Sequence, residues 1–148
     1  IEYFEPSLLT YKNNIIAFIR THYNNEYGYT SISYSKDKGK TFSKPEATNI
    51  KGYPLNPLIL NNKKILLTYG YRLKHYGIRA KILDKIENKN IIENINNSKE
   101  LIIEDKMKNA DCGYPSCIND GNNIICVYYG CKEKSNTRKI YLKRFILN

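Results

Sequence analysis

Three residues stand one position ahead of a proline in matching surroundings: Glu5 before Pro6, Asn56 before Pro57 and Tyr114 before Pro115. A carboxylate and a phenol brought to one point share a proton. The carboxylate can draw that proton off and turn the phenol oxygen into a usable nucleophile. Three arginines are spaced to serve the same point. Arg20 lies on the strand expected after Glu5, and Arg72 and Arg79 lie at the end and start of strands expected after Asn56. Guanidiniums aimed at one spot grip a carboxylate through paired, charge-assisted hydrogen bonds. Each assignment has a structural alternative: Tyr114 as one of 14 tyrosines packing a core, Glu5 as a strand cap, the arginines as solvated strand charges.

The elements that must position these residues come from an internal repeat. Glu5-Pro6-Ser7-Leu8-Leu9, Asn56-Pro57-Leu58-Ile59-Leu60 and Tyr114-Pro115-Ser116-Cys117-Ile118 each open a short apolar run. Each is followed by a turn (Lys12-Asn13-Asn14, Asn61-Asn62-Lys63, Asp120-Gly121-Asn122) and a second run that opens with isoleucine. Asn, Asp and Gly tolerate the left-handed backbone of tight hairpins, and proline is accepted at the first residue of a strand. The prolines fall 51 and then 58 residues apart, the spacing of propeller blades of four antiparallel strands. Tyr29 to Tyr34, Gly77 to Ile82, Glu100 to Ile103 and Lys139 to Phe145 supply the further strands. No convincing helix is expected, and Ile91 to Asn97 reads as a loop with one helical turn.

The fold expected is therefore all-β, a β-propeller with about three blades at roughly 5–50, 54–105 and 111–148, the last with three strands. Three blades do not close a usual ring, so the chain is expected to be incomplete, pairing with missing blades or with a second chain. In a propeller the first strand of each blade lines the central axis, and Glu5, Asn56 and Tyr114 should ring one mouth of the channel.

The most specific local signal is Ser35-Lys36-Asp37-Lys38-Gly39-Lys40-Thr41-Phe42. Asp37 can accept backbone N–H bonds across the loop, Gly39 supplies a left-handed conformation, and Phe42 is expected to tuck under the turn as a plug. An EF-hand would need further acidic positions and a terminal Glu, so Ser35, Asp37, Gly39, Thr41 and Phe42 are read as structural, with no metal. This pattern is the Asp-box. With Glu5-Pro6-Ser7-Leu8, Ile19-Arg20, Leu66 to Arg72, Gly77-Ile78-Arg79-Ala80 and Asp111 to Ser116, the chain resembles the sialidase (neuraminidase) superfamily of six-bladed Asp-box propellers. The resemblance covers the C-terminal half of a family domain, and a second Asp-box looks eroded at Leu83-Asp84-Lys85.

The resemblance implies an exo-sialidase-type glycoside hydrolase that needs no cofactor and acts on sialylated or other acidic glycans with retention. By motif position Tyr114 matches the tyrosine nucleophile, Glu5 its activating carboxylate, and Arg20 one member of the arginine triad. Another member matches Arg72 or, less well, Arg79. The family's first triad arginine and general-acid Asp come from blades upstream of residue 1, and losing general-acid help costs about 10²–10⁴-fold. The isolated chain should therefore turn over poorly. Asp111 is placed to orient the loop carrying Tyr114. The competing reading is a glycan-binding or scaffolding propeller that kept the fold and lost the chemistry.

Composition narrows the partners. The 148 residues carry 24 Lys+Arg against 14 Asp+Glu, a net charge of +10, which alone would suggest an anionic partner. The lysines are scattered and no base-reading motif appears, so nucleic acid is not expected. No apolar run approaches the ~18–20 residues of a membrane-spanning helix. The first residues carry no signal peptide, the chain reads as soluble, and its compartment stays open. His22 and His75 have no partner at metal-ligand spacing and are expected in loops. Cys112 with Cys131, and Cys117 with Cys126, are symmetric about Gly121-Asn122. Absent a bulge the two pairs fall on opposite faces, against one zinc site; buried free thiols are favoured over cross-strand disulfides.

Overall fold

The computed structural model describes residues 1–84, 91–132 and 134–147. Among the described residues, twelve strands form three antiparallel sheets. The first joins β1 (Glu2–Tyr11), β2 (Asn14–Tyr23), β4 (Ser31–Ser35) and β5 (Glu46–Ala47) in that order, with β3 (Glu26–Tyr27) pairing β2 beside β4. The second runs β6 (Leu55–Ile59), β7 (Ile65–Tyr71), β8 (Gly77–Leu83), β9 (Glu100–Glu104). The third runs β10 (Gly113–Asp120), β11 (Asn123–Gly130), β12 (Lys139–Phe145).

Each sheet opens with one repeat unit folded as a hairpin. The left-handed turn residues are Lys12, Lys63 and Gly121, so two of the three positions fall to lysine and not to asparagine. In the second turn the Asn62 side chain is occupied as an acceptor, its Oδ1 taking the Lys64 N–H at 3.1 Å.

The second sheet is buried on both faces and lies between the other two. On one side Ile65, Leu67 and Tyr69 pack with Leu9, Ile16, Phe18 and Ile32 of the first sheet. On the other, Leu66, Ile78 and Ala80 pack with Cys117, Ile124, Cys126 and Tyr128 of the third. This alternation along β7, with neighbouring residues feeding opposite layers, is the period of two that a strand dictates. The first strands of the sheets adjoin one another: Ser7 Oγ donates to Leu55 O at 2.5 Å, and the Cys117 N–H donates to Asn56 Oδ1 at 2.9 Å.

A short helix does form where one turn was expected. Helix α1 (Ile91–Asn97) buries Ile91 and Ile95 on one face at the i, i+4 spacing of neighbours on a helix surface. Lys81 Nζ donates to Ile95 O at 2.7 Å, and Asn49, just past β5, clasps Asn96 through bonds of 2.7 and 2.9 Å. Tertiary packing creates a helix that seven residues would not hold alone. Leu83 ends β8, Asp84 pairs with Lys64 at 2.7 Å, and Lys85 lies outside the described residues. Among the described residues no helix is long and apolar enough to cross a membrane.

The cysteines depart from their expected layout. Cys117 and Cys126 face each other in register, but a bulge between Gly113 and Ser116 carries Cys112 out of register with Cys131. The same bulge brings Cys112 into the core layer of Cys117 and Cys126. All four are free and buried.

Candidate active site

Glu5 and Tyr114 reach one another through two matching backbone exceptions. Both residues are left-handed, with φ of 45° and 49°, and both sit in bulges, where register shifts between Phe4 and Ser7 and between Gly113 and Ser116. A proline after each removes the N–H that would have continued the ladder. Left-handed non-glycine residues are strained and cluster where a side chain must be re-aimed, as bulges do. Asn56 behaves differently. Its strand keeps regular register through Asn56 opposite Thr68 and Pro57 opposite Leu67, and its side chain accepts the Cys117 N–H. The expected ring of three is thus a pair, with Asn56 bracing the strand that carries Tyr114.

The pair is in direct contact. Tyr114 Oη donates a short hydrogen bond to Glu5 Oε1, and Arg20 Nη1 donates to Glu5 Oε2 at 3.0 Å. Burial pushes the Glu5 carboxyl up, but the Tyr114 hydrogen bond and the Arg20 and Arg72 charges outweigh it and hold it below the usual range. The same hydrogen bond to Glu5 pushes the Tyr114 phenol up. In the resting state the proton therefore belongs to the phenol and the charge to the carboxylate.

Two guanidiniums flank this pair. Arg20, on β2, lies with its Cζ 5.2 Å from the Tyr53 ring centre and 5.8 Å from that of Phe4. Its Nε and Nη2 both reach His22 Nε2, at 3.1 and 3.0 Å. Arg72 follows β7, donates from Nε to Cys112 O at 3.2 Å, and sits 5.8 Å from the centre of the Tyr114 ring. Behind Tyr114 the Tyr129 ring packs at 5.8 Å; its hydroxyl donates to Asp111 Oδ1 at 2.7 Å, and Arg138 closes on Asp111 Oδ2. Asp111 thus fixes a tyrosine that packs on Tyr114.

Arg79 is not brought to this cluster. It is buried and committed elsewhere: to Glu104 O at 2.6 Å, His75 O at 3.0 Å, the Tyr71 ring at 4.6 Å and Glu100 at 3.7 Å. Its place on β8, beyond β7, puts it two strands from the sheet's first, with Tyr69 and Ile102 as register partners. It is neither a solvated strand charge nor a member of the site.

The Ser35–Phe42 loop closes on itself away from the pair. Ser35 Oγ donates to Asp37 Oδ1 at 2.8 Å and accepts the Gly39 N–H at 2.8 Å; Thr41 gives Asp37 its N–H at 2.9 Å and its hydroxyl at 2.6 Å. Thr41, through its hydroxyl and then its amide, and Ser35 hold the Asp37 carboxyl down to about 2. Phe42 does not plug the turn, being 45% exposed. The apolar contact at Gly39 comes from Ile15 Cδ1, 3.4 Å from where a Gly39 Cβ would stand. Among the described residues, no three His, Cys, Asp or Glu side chains group so as to hold a metal ion.

Sequence reasoning missed His22, Tyr53 and Tyr129. His22 was expected in a loop, yet it is on β2 two residues past Arg20, and that spacing puts both on one face of a strand. It also missed the closeness of Gly70 and Gly113: a Cβ on Gly70 would stand 2.7 Å from Tyr53 O and 2.8 Å from Gly113 Cα. That contact seats the start of β10, and so Tyr114, against the end of β7.

No family model and no curated protein matches the chain. Among solved structures it is similar to a protein of unknown function from Dyadobacter fermentans DSM 18053, at 28% identity and a TM-score of 0.84, over 99% of this chain and 38% of that one. It is also similar to the GH43 protein BlXynB (K247S mutant) from Bacillus licheniformis, at 10% identity and a TM-score of 0.64, over 96% of this chain and 27% of that one. A xylan β-1,4-xylosidase from Bacillus halodurans C-125 gives 11% identity and a TM-score of 0.58, over 97% of this chain and 28% of that one. The likeness to the two glycoside hydrolases, both propeller-type, is one of fold alone. The chain spans well under half the length of each of the three.

Proposed function

We propose that this chain is the nucleophile-bearing part of a six-bladed, sialidase-like propeller that removes terminal sialic acid, or a related carboxylated sugar, from glycoconjugates with retention. The observation that carries this reading is the Tyr114–Glu5 hydrogen bond between the guanidiniums of Arg20 and Arg72. The loop at Ser35–Phe42, read as an Asp-box, agrees with it. A xyloside is uncharged and offers these two guanidiniums no carboxylate to grip, so the arginines favour an acidic sugar over the substrate class of the fold neighbours.

In this reading Arg20 and Arg72 hold the sugar carboxylate. Tyr114 Oη attacks the anomeric carbon as its proton passes to Glu5 Oε1, and the bond to the leaving oxygen breaks. A neutral phenol suits this carbon, because the adjacent carboxylate repels an anionic nucleophile; sialidases are the tyrosine-using exception among glycosidases. Water then releases the sugar from the glycosyl-tyrosine, and two displacements give net retention. The acid that protonates the leaving alcohol, and a further arginine, come from outside residues 1–148. The test has two arms. Arg20→Met and Arg72→Met should each weaken binding of N-acetylneuraminate about tenfold or more. Hydrolysis of a fluorogenic sialoside by the protein should fall at least about 10²-fold in Tyr114→Phe. Binding retained in the arginine variants, or undiminished turnover in Tyr114→Phe, contradicts the reading; binding lost in the arginine variants without any turnover by the full-length protein favours a glycan-binding propeller.

A further inference from the structure

We propose that His22, packed against its cross-strand partner Tyr27, positions the Arg20 guanidinium of the site by presenting a hydrogen-bond acceptor to it; this rests on the carboxylate-gripping role given above to Arg20 and Arg72. His22 and Tyr27 face each other in register on β2 and β3, with ring centres 5.4 Å apart, edge to face. The hairpin between them turns at Asn24 and Asn25, both left-handed. It is pinned to the rest of the sheet where the Gly28 N–H donates to Thr21 O at 3.0 Å and Tyr53 Oη donates to Gly28 O at 3.2 Å.

On the Arg20 side, Nε and Nη2 converge on the single lone pair of His22 Nε2, at 3.1 and 3.0 Å. An arginine keeps all its protons and only donates. His22 Nε2 must therefore be the acceptor, and the imidazole is the neutral tautomer with its proton on Nδ1. This leaves Arg20 Nη1 to face Glu5 and fixes the plane of the guanidinium. Tyr27 continues the support: its ring packs 5.3 Å from Tyr53, which in turn stacks under Arg20 at 5.2 Å. The Arg20 side chain thus has its rotamer set before a ligand arrives, and the ordering cost of gripping a carboxylate is lowered. His22 touches neither the nucleophile nor its base through any hydrogen bond, so it is a positioning residue.

The test uses the chain itself with His22→Phe, which keeps a ring and removes the acceptor, and His22→Gln, which restores an acceptor. The first readout is the Nε–H resonance of each arginine by nitrogen-15 NMR. The Arg20 signal should be in slow exchange in the parent, lost in His22→Phe and regained in His22→Gln, while the Arg72 signal persists in all three. The second is titration with N-acetylneuraminate and with its methyl ester. The dissociation constant for the acid should rise about tenfold in His22→Phe, with the ester unaffected. An unchanged Arg20 resonance and unchanged acid affinity in His22→Phe overturn the proposal. A parent that binds no acid, but whose Arg20 resonance still depends on His22, overturns the carboxylate-gripping role and upholds the clamp on Arg20.

Discussion

Glu5 and Tyr114, 109 positions apart in the chain, share a hydrogen bond and also the same departure from strand geometry. Each is left-handed, in a bulge, immediately before a proline. The two strained residues lean on one another. Removing one partner should therefore be felt as a change in the other's ionisation. Burial raises the Glu5 pKa, and the Tyr114 hydrogen bond is the largest influence lowering it. A depressed folded pKa means that the contact contributes fully above the ordinary glutamate range and is lost as pH falls through the folded value. Tyr114→Phe should shift the Glu5 titration upward, read by carboxyl carbon-13 NMR; an unshifted Glu5 would mean that the contact does not persist in solution.

Gly70 should tolerate no side chain. A Cβ there meets Tyr53 O and Gly113 Cα within 2.8 Å, and neither backbone atom can swing away. Gly70→Ala is expected to cost about 3 kcal/mol, the upper end for overpacking, and to move Tyr114 away from Glu5. Thermal unfolding checks the first effect, and the Glu5 titration checks the second.

Much of this was legible in the sequence. Proline, a short apolar run, a turn of small polar residues and an isoleucine-led run encode hairpins locally, and overlaying the three copies brought Glu5 and Tyr114 to one position. That overlay could not tell which copies bulge. Glu5 and Tyr114 turn left-handed while Asn56 keeps strand register. The position of Arg79 was misjudged for a similar reason: strand order within the sheet decides its surroundings, and spacing along the chain does not report strand order. Phe42 is exposed and no plug, and the α1 segment extends past the one expected turn because Asn49 and Lys81 hold it from a distance. His22 was readable, since two residues past Arg20 is one face of a strand.

Arg79→Met separates support from recognition. Two backbone carbonyls, Glu104 O and His75 O, lose their charged donor, at a cost of about 2–3 kcal/mol. Binding of N-acetylneuraminate should be unchanged at temperatures where the variant is folded. Loss of binding with stability intact would return Arg79 to the site.

The Ser35–Phe42 loop should soften in acid over a defined window. Asp37 is held down to about 2 by the Thr41 hydroxyl, the Thr41 amide and Ser35. Because the folded value is depressed, this stabilisation is complete above about 4 and disappears toward about 2. Asp37→Ala should remove that acid dependence and lower the Tm. Amide exchange at Gly39 and Thr41 reads the loop directly, and protection that survives Asp37→Ala would contradict the role given to the carboxylate.

The most direct measurement is covalent trapping of Tyr114. A sialosyl fluoride carrying a second fluorine beside its anomeric carbon needs no proton on its leaving group, so the general acid is dispensable. The phenol oxygen bonds to the anomeric carbon, fluoride departs, and Glu5 takes the phenol proton. Intact-mass analysis should show one sugar added to the parent, mapped by peptide sequencing to Tyr114, and none added to Tyr114→Phe. A parent that stays unlabelled while binding N-acetylneuraminate, or a label on another residue, would contradict tyrosine as the nucleophile.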